Sequence, residues 1–148
     1  MIRSAILNLA QKKGQVVYGA RAVNPQLPVY LQEKTSDYDI LTKKPKKSAQ
    51  DLVNELKKYS SYDIKLEKAK HPGTYKVKVN DKTVADYTQI RGKPKTKLIL
   101  GVKYKDLSSI KKSIQRSVRK PENVYRREKD LTTLEKIKKH EMTEFLLN

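Results

Sequence analysis

Apolar residues recur at helical spacing from the second position onward. Ile2, Ala5, Ile6 and Leu9 share one side of a helix over 2–12, and Gly14 stands where such a helix would end. QVVY (15–18) is a short apolar run that leads into Gly19 and reads as a strand. The stretch that follows has a mixed pattern, and Pro25 and Pro28 interrupt any long helix there. SDYDIL (36–41) alternates acidic and apolar residues, the period of a half-buried strand with its acids on one face. After the KKPKK break, Ser48 with Asp51 three residues on reads as a capping box, opening a helix over 48–60 that puts Leu52, Val53 and Leu56 on one side.

Three further alternating runs follow, at 62–70, 74–79 and 82–90. Asn80-Asp81 joins the last two as a β-hairpin, and His71-Pro72-Gly73 marks a turn before it. RGKPKTK is a basic loop ahead of an apolar LILGV strand. The rest is helical: Leu107, Ile110, Ile114 and Val118 share a face, and Pro121 starts a last helix. In that helix Leu131, Leu134, Met142, Phe145 and Leu146 are expected to supply apolar contacts. Together these elements predict an α/β fold, with helices covering one face of a small mixed β-sheet and two helices at the C-terminal end.

Composition narrows the chemistry. At 148 residues there is room for one domain and little for a second. With no cysteine, disulfides, thiolate metal sites and cysteine nucleophiles are excluded. No apolar run reaches membrane-spanning length and no secretory leader is visible, so the expectation is an intracellular protein with no membrane partner. The formal net charge of +18 far exceeds the ~2–8 charges that solubility needs, and it favours a polyanionic partner. Lys93, Lys95, Lys97, Arg116 and Arg119 are the candidate phosphate contacts.

Asp37 and Asp39 are the residues this charge makes conspicuous. On a strand, side chains two apart point the same way, about 6.5–7 Å from each other, so two carboxylates can converge on divalent cations. A third is needed from a neighbouring strand. Asp86, between Ala85 and Tyr87 in the hairpin, fits better than Asp63 at a strand start or Asp81 in a turn. An oxygen-only donor set of this kind suits Mg²⁺ or Mn²⁺. A glycine turn at the end of a strand lets backbone N–H groups approach an anion closely, which brings in Gly19 and Ala20. No Ser/His/Asp arrangement and no zinc-like cluster competes with this constellation.

The Gly19-Ala20 turn after a strand, then Lys34-Thr35-Ser36-Asp37-Tyr38-Asp39-Ile40, then Asp86, resembles the signature of the polymerase-β-like nucleotidyltransferase superfamily. The wording of 19–41 and of 101–137 is most similar to nucleotidyltransferases and poly(A)-polymerase-like proteins of large DNA viruses, a likeness over roughly residues 15–140. The resemblance implies a single minimal nucleotidyltransferase domain over 1–148. It would transfer a nucleoside monophosphate from an NTP to an acceptor hydroxyl, in particular a nucleic-acid 3′ end, in the cytoplasm of a host cell. It also implies that Asp37, Asp39 and Asp86 are catalytic and hold Mg²⁺ or Mn²⁺, and that Gly19, Ala20 and Arg21 meet the phosphates. Ala20 departs from the family, which has Gly or Ser there, so only an amide is left for that contact. Two alternatives stand beside this reading: a catalytically silent fold that binds RNA or DNA, and a toxin-like enzyme that modifies a protein or tRNA.

Overall fold

The computed structural model describes residues 1–35 and 37–147. Ser36, the first residue of the expected 36–41 strand, and Asn148 lie outside the described residues. In chain order the elements are α1 (Ile2–Lys13), β1 (Val16–Tyr18), α2 (Ala20–Val23), β2 (Tyr38–Thr42), α3 (Pro45–Tyr59), β3 (Ile64–Lys68), β4 (Thr74–Val79), β5 (Lys82–Gln89), β6 (Thr96–Ile99), β7 (Val102–Lys105), α4 (Leu107–Ser117) and α5 (Arg127–Leu147). Short 3-10 turns at Asn24–Gln26, Val29–Leu31 and Pro121–Arg126 fill the connections.

The seven strands form one mixed sheet in the order β3-β4-β5-β2-β1-β7-β6. β2 runs antiparallel to β1 and parallel to β5, and β1 runs parallel to β7. Because successive side chains alternate between faces, the register sorts the residues into two sets. Val17, Tyr38, Ile40, Ala85, Tyr87 and Val77 turn to one face, where each is buried, and α3 packs on β2, β4 and β5 while α1 packs on β7 and α3. Tyr18, Asp39, Asp86 and Thr88 turn to the other. The apolar layer under one face is what allows a polar row on the opposite face.

Local chemistry accounts for most boundaries. Gly14 closes α1 in the left-handed conformation (φ 63°), donating its N–H to Ala10, the role its position predicts. Asn80 and Asp81 both take positive φ in the two-residue turn of the β4–β5 hairpin. Asp106 caps α4 by accepting from the Ser109 N–H at 2.9 Å.

Three expectations are corrected. The helix expected to open at Ser48 begins at Pro45, where the missing N–H costs nothing in a first turn. Ser48 is instead a buried interior residue whose hydroxyl meets Thr42 Oγ1 at 2.8 Å, tying α3 to the end of β2. LILGV is not one strand: Leu100 (φ 48°) and Gly101 (φ 82°) form a two-residue turn between the antiparallel β6 and β7. In α5 only Asp130, Leu134 and Ile137 are buried, while Leu131, Met142, Phe145 and Leu146 are exposed. A 21-residue helix is about 31 Å long and the 11-residue α4 about 16 Å, so the last turns of α5 run past their partner.

Tyr87 gives a test of this core. It is fully buried, and its hydroxyl has no hydrogen-bond partner among the described residues. Removing an unsatisfied buried hydroxyl should cost nothing, so Tyr87→Phe should unfold at the same or a higher denaturant concentration than wild type. Ile40→Ala, at an equally buried site on β2, should lose about 2–5 kcal/mol in the same titration.

Candidate active site

The site is assembled by register. Tyr18 on β1 lies opposite Asp39 on β2, and Asp39 lies opposite Asp86 on β5. Asp37 occupies the bend just before β2 and projects into the same space. One carboxylate oxygen from each of Asp37, Asp39 and Asp86 lies within 4.8 Å of the other two. The three aspartates singled out in the sequence are therefore one cluster. Asp63 and Asp81 sit elsewhere, on either side of Lys65 at 3.4 and 3.7 Å.

Electrostatics match the crowding. Burial, then repulsion from Asp37 and Asp86, raises the Asp39 carboxyl from 3.8 to about 7. Asp86 is also raised, first by burial, with Lys76 pulling it back down and a hydrogen bond with Asp37 raising it further. Lys76 Nζ stands 3.3 Å from the buried Asp86 Oδ1 as its ion-pair partner. Three partly buried carboxylates form a hard, oxygen-only donor set. The residues present thus fit a divalent cation such as Mg²⁺ or Mn²⁺.

Gly19 closes the site from the side of β1. Its backbone (φ 67°, ψ −155°) is in a region open essentially only to glycine. A Cβ there would come within 2.6 Å of Asp39 Oδ2. Glycine is required twice over, for the turn and for the carboxylate behind it. Ala20 begins α2 and, with Gly19, lines the adjoining cleft. Arg21 lies with its guanidinium over the ring of Tyr38, 4.3 Å from the centroid, and Tyr38 turns to the sheet face opposite Asp39.

That cleft has a volume of about 450 Å³ and runs from Tyr18, Asp37 and Asp39 to α4 and α5. Its far wall carries Lys105, Ser113, Arg126 and Lys129. Arg126 is anchored 3.4 Å from the buried Asp130 and lowers the Asp39 carboxyl electrostatically. Lys105 and the buried Gln26 were not among the candidates from sequence. Gln26 donates to the Ala22 and Lys105 carbonyls at 2.8 and 2.9 Å and accepts from the Leu107 N–H at 3.2 Å, joining α2, β7 and α4 behind the cleft. No spacing rule marks such a glutamine; only a polar residue between the two prolines of the PQLPVYL run hints at it. The expected phosphate contacts fall in two places. Lys93, Lys95 and Lys97 are exposed on and before the edge strand β6, by the start of α4. Arg116 and Arg119 lie at the other end of α4, about 15 Å along its axis.

The raised Asp39 carboxyl has a consequence for stability. The folded chain holds this proton up to about pH 7, and the unfolded chain releases it near 3.8. Between those values the folded state binds more protons, so metal-free stability should increase as pH falls from about 7 toward 4. Asp39→Asn should remove that dependence and raise the metal-free Tm at pH 8 by at least ~2–4 °C, the shift about 1 kcal/mol produces in a chain of this size. Mg²⁺ should raise the Tm of wild type and not of the variant. Calorimetry with and without Mg²⁺ reads all three.

The fold is similar to the crystal structure of the Megavirus polyadenylate synthase, with a TM-score of 0.84 at 23% identity over 94% of this chain and 30% of that one. It is also similar to JHP933 from Helicobacter pylori, with a TM-score of 0.59 at 18% identity over 94% of this chain and 64% of that one. The chain thus spans under a third of the first protein and under two thirds of the second, and the likeness is one of fold. No curated protein matches. Residues 4–119 match the model of a family described as the poly(A) polymerase catalytic subunit, and over that span, well beyond half its length, the chain belongs to this nucleotidyltransferase family.

Proposed function

We propose that this chain transfers a nucleoside monophosphate from an NTP to the 3′ hydroxyl of an RNA. The observation that carries the reading is the convergence of Asp37, Asp39 and Asp86 within 4.8 Å beside a glycine whose missing side chain leaves room for them. In the reaction the 3′ oxygen bonds to the α-phosphorus. The bond from that phosphorus to the bridging oxygen breaks, and pyrophosphate departs with its electron pair. The hydroxyl proton passes to solvent.

Asp37 and Asp39 would hold the cation that carries the triphosphate, and Asp37, Asp39 and Asp86 together the one nearest the acceptor. The chemistry that bound Mg²⁺ or Mn²⁺ supplies here is neutralisation of phosphate charge and activation of the attacking hydroxyl. Gly19 and Ala20 bring backbone, without bulk on the Gly19 side, to the edge of the cleft where the phosphates would lie. Asp39 must be ionised to serve, and the repulsion that raises its carboxyl is reversed by any cation placed between the three. The high positive charge of the chain favours a nucleic-acid acceptor, with exposed Lys93, Lys95, Lys97 and Arg119 as its track.

Incorporation of labelled NTPs onto RNA ends, with Mg²⁺ or Mn²⁺, tests the reading. Asp39→Asn should lower transfer by at least ~10²–10³-fold, the scale of losing one strong electrostatic stabiliser, while RNA affinity holds or tightens because an acid has left a basic surface. If wild type transfers nucleotide and the variant keeps most of that activity, the acidic cluster is not the active site. A wild type that binds RNA but incorporates no nucleotide would be a silent fold.

The lysine track has its own readout. RNA binding should weaken with salt at a log–log slope of about −0.7 per phosphate contacted on a single strand. Neutralising Lys93, Lys95 and Lys97 together should make that slope shallower, by up to ~2 if each meets one phosphate. An unchanged slope would remove them from the interface.

A further inference from the structure

The two ends of the sheet differ in charge. The acidic cluster lies toward the start of β2, and Asp63, Asp81 and Asp106 lie at the same end, before β3, in the β4–β5 turn and after β7. The other end is basic. There β2 runs out into Lys43 and Lys44, and α3 opens with Lys46 and Lys47. Arg91 joins them, because the Ile90 N–H donates to the Thr42 carbonyl at 2.9 Å. The Gln89 N–H donates to the Gly73 carbonyl at 3.0 Å, which brings the β3–β4 turn and Lys70 to this end as well. α1 finishes beside them, with Lys13 Nζ 2.5 Å from Asp51 Oδ2 of α3.

Few acids balance these cations. Asp51 is shared by Lys13 and Lys47, and among the described residues Lys43, Lys44, Lys46, Lys70 and Arg91 form no ion pair. All five are exposed. Their placement also runs against the helix they adjoin. The first turn of α3 contains no acidic residue, and lysines there repel the positive end of the helix dipole. A local rule broken with no gain inside the fold points to a use outside it. The lysines also frame a groove. An open cavity of about 680 Å³ lies between the first turn of α3 and the ends of β4 and β5, with Gln50, Tyr75 and Gln89 along it. Tyr75 pairs with the buried Tyr87 across the ladder, so the groove opens on the face opposite the acids. Thr42, where the basic end begins, is about 10 Å past Asp39 along β2.

A concave surface of this kind has a specific complement. Binding on a lipid plane calls for apolar side chains that insert between the headgroups, whereas here lysines flank a hollow. A single-stranded nucleic acid fits it. Its phosphates follow the cations along the rim, while a tyrosine ring and two amide side chains meet bases of any sequence. We propose that this end of the sheet is a second binding surface, for single-stranded RNA, set apart from the acidic cleft. The segment held there lies upstream of the 3′ end and passes round the end of β2 while the terminus sits at the acids. That assignment to the acceptor strand rests on the transferase reading; the binding surface itself does not. Two contacts on one strand keep the RNA bound when its reacting end lets go.

Fluorescence anisotropy of labelled single-stranded RNA with the full, metal-free chain tests the surface without any turnover. The triple variant Lys43→Gln, Lys44→Gln, Lys46→Gln leaves Lys13 and Lys47 on Asp51. It should weaken binding by at least ~10-fold at low salt and make the log–log salt slope shallower by up to ~2. Its Tm should hold or rise, because charge leaves the positive end of a helix, so lost binding is not lost folding. Lys70→Gln with Arg91→Gln, outside α3, should weaken binding in the same direction. The control Lys57→Gln, Lys138→Gln, Lys139→Gln takes equal charge from exposed positions near the far end of α3 and on α5. It should change affinity less than ~2-fold, because remote exposed charges act through screened attraction. In NTP turnover the Lys43 triple variant should raise KM for a long RNA acceptor and leave KM for a short one unchanged. Equal losses in the two triple variants would overturn the surface even if nucleotide transfer is observed. So would a Lys43 triple variant that keeps its RNA affinity and loses binding to anionic phospholipid vesicles. If wild type transfers no nucleotide but the Lys43 triple variant loses RNA, the surface stands and the transferase reading is what fails.

Discussion

Three carboxylates within 4.8 Å of one another repel, and every other feature of the site is arranged around that repulsion. The strand ladder fixes Asp39 beside Asp86, because a slip of one residue in the pairing of β2 with β5 would turn Asp86 to the buried face and Tyr87 to the cleft. What resists the slip is the apolar layer beneath. Ile40 and Tyr87, neighbours of the acids in sequence and partners across the ladder, are wholly buried against the helices. The acids are thus held together by the hydrophobic effect acting on residues that alternate with them.

Gly19 adds a second constraint to the same point. A side chain there would strike the Asp39 carboxylate, and the backbone of the turn excludes most residues in any case. The strand therefore ends in a residue that gives space to the carboxylate and lets the chain reverse into α2. From α2 onward, Gln26 carries the order outward: one buried amide group binds α2, the end of β7 and the first turn of α4. A cleft wall built on separate elements keeps its place relative to the sheet through that side chain.

The charge distribution acquires structure only at this level. Lysines outnumber their acidic partners throughout the sequence, and most are exposed. Lys76 is drawn to Asp86, Lys13 and Lys47 to Asp51, and Lys78 to Glu67. Lys105 donates instead to the Ser113 hydroxyl, which Arg116 also reaches.

Much of this was legible in the sequence, because local rules act on local patterns. The period-two alternation of SDYDIL and KTVADYTQI put acids and apolar residues on opposite faces, Gly14 and Asn80-Asp81 marked their turns, and Asp37, Asp39 and Asp86 were expected to cluster, as they do beside Gly19. Errors arose where a local rule had a tertiary competitor. Ser48 has the pattern of a cap, yet its hydroxyl is taken by Thr42. Leu100 extends an apolar run, yet it sits in a turn with its side chain in solvent. The end of α5 has the spacing of a buried helix, yet its partner helix is too short to cover it. By itself, then, the sequence determined which residues could form helices, strands and an acidic cluster, since those depend on periodicity and residue chemistry. Only the tertiary structure decided that β1 lies between β2 and β7, and with it that Lys105 shares a row with the acids, because strand order depends on long-range pairing that no local pattern encodes.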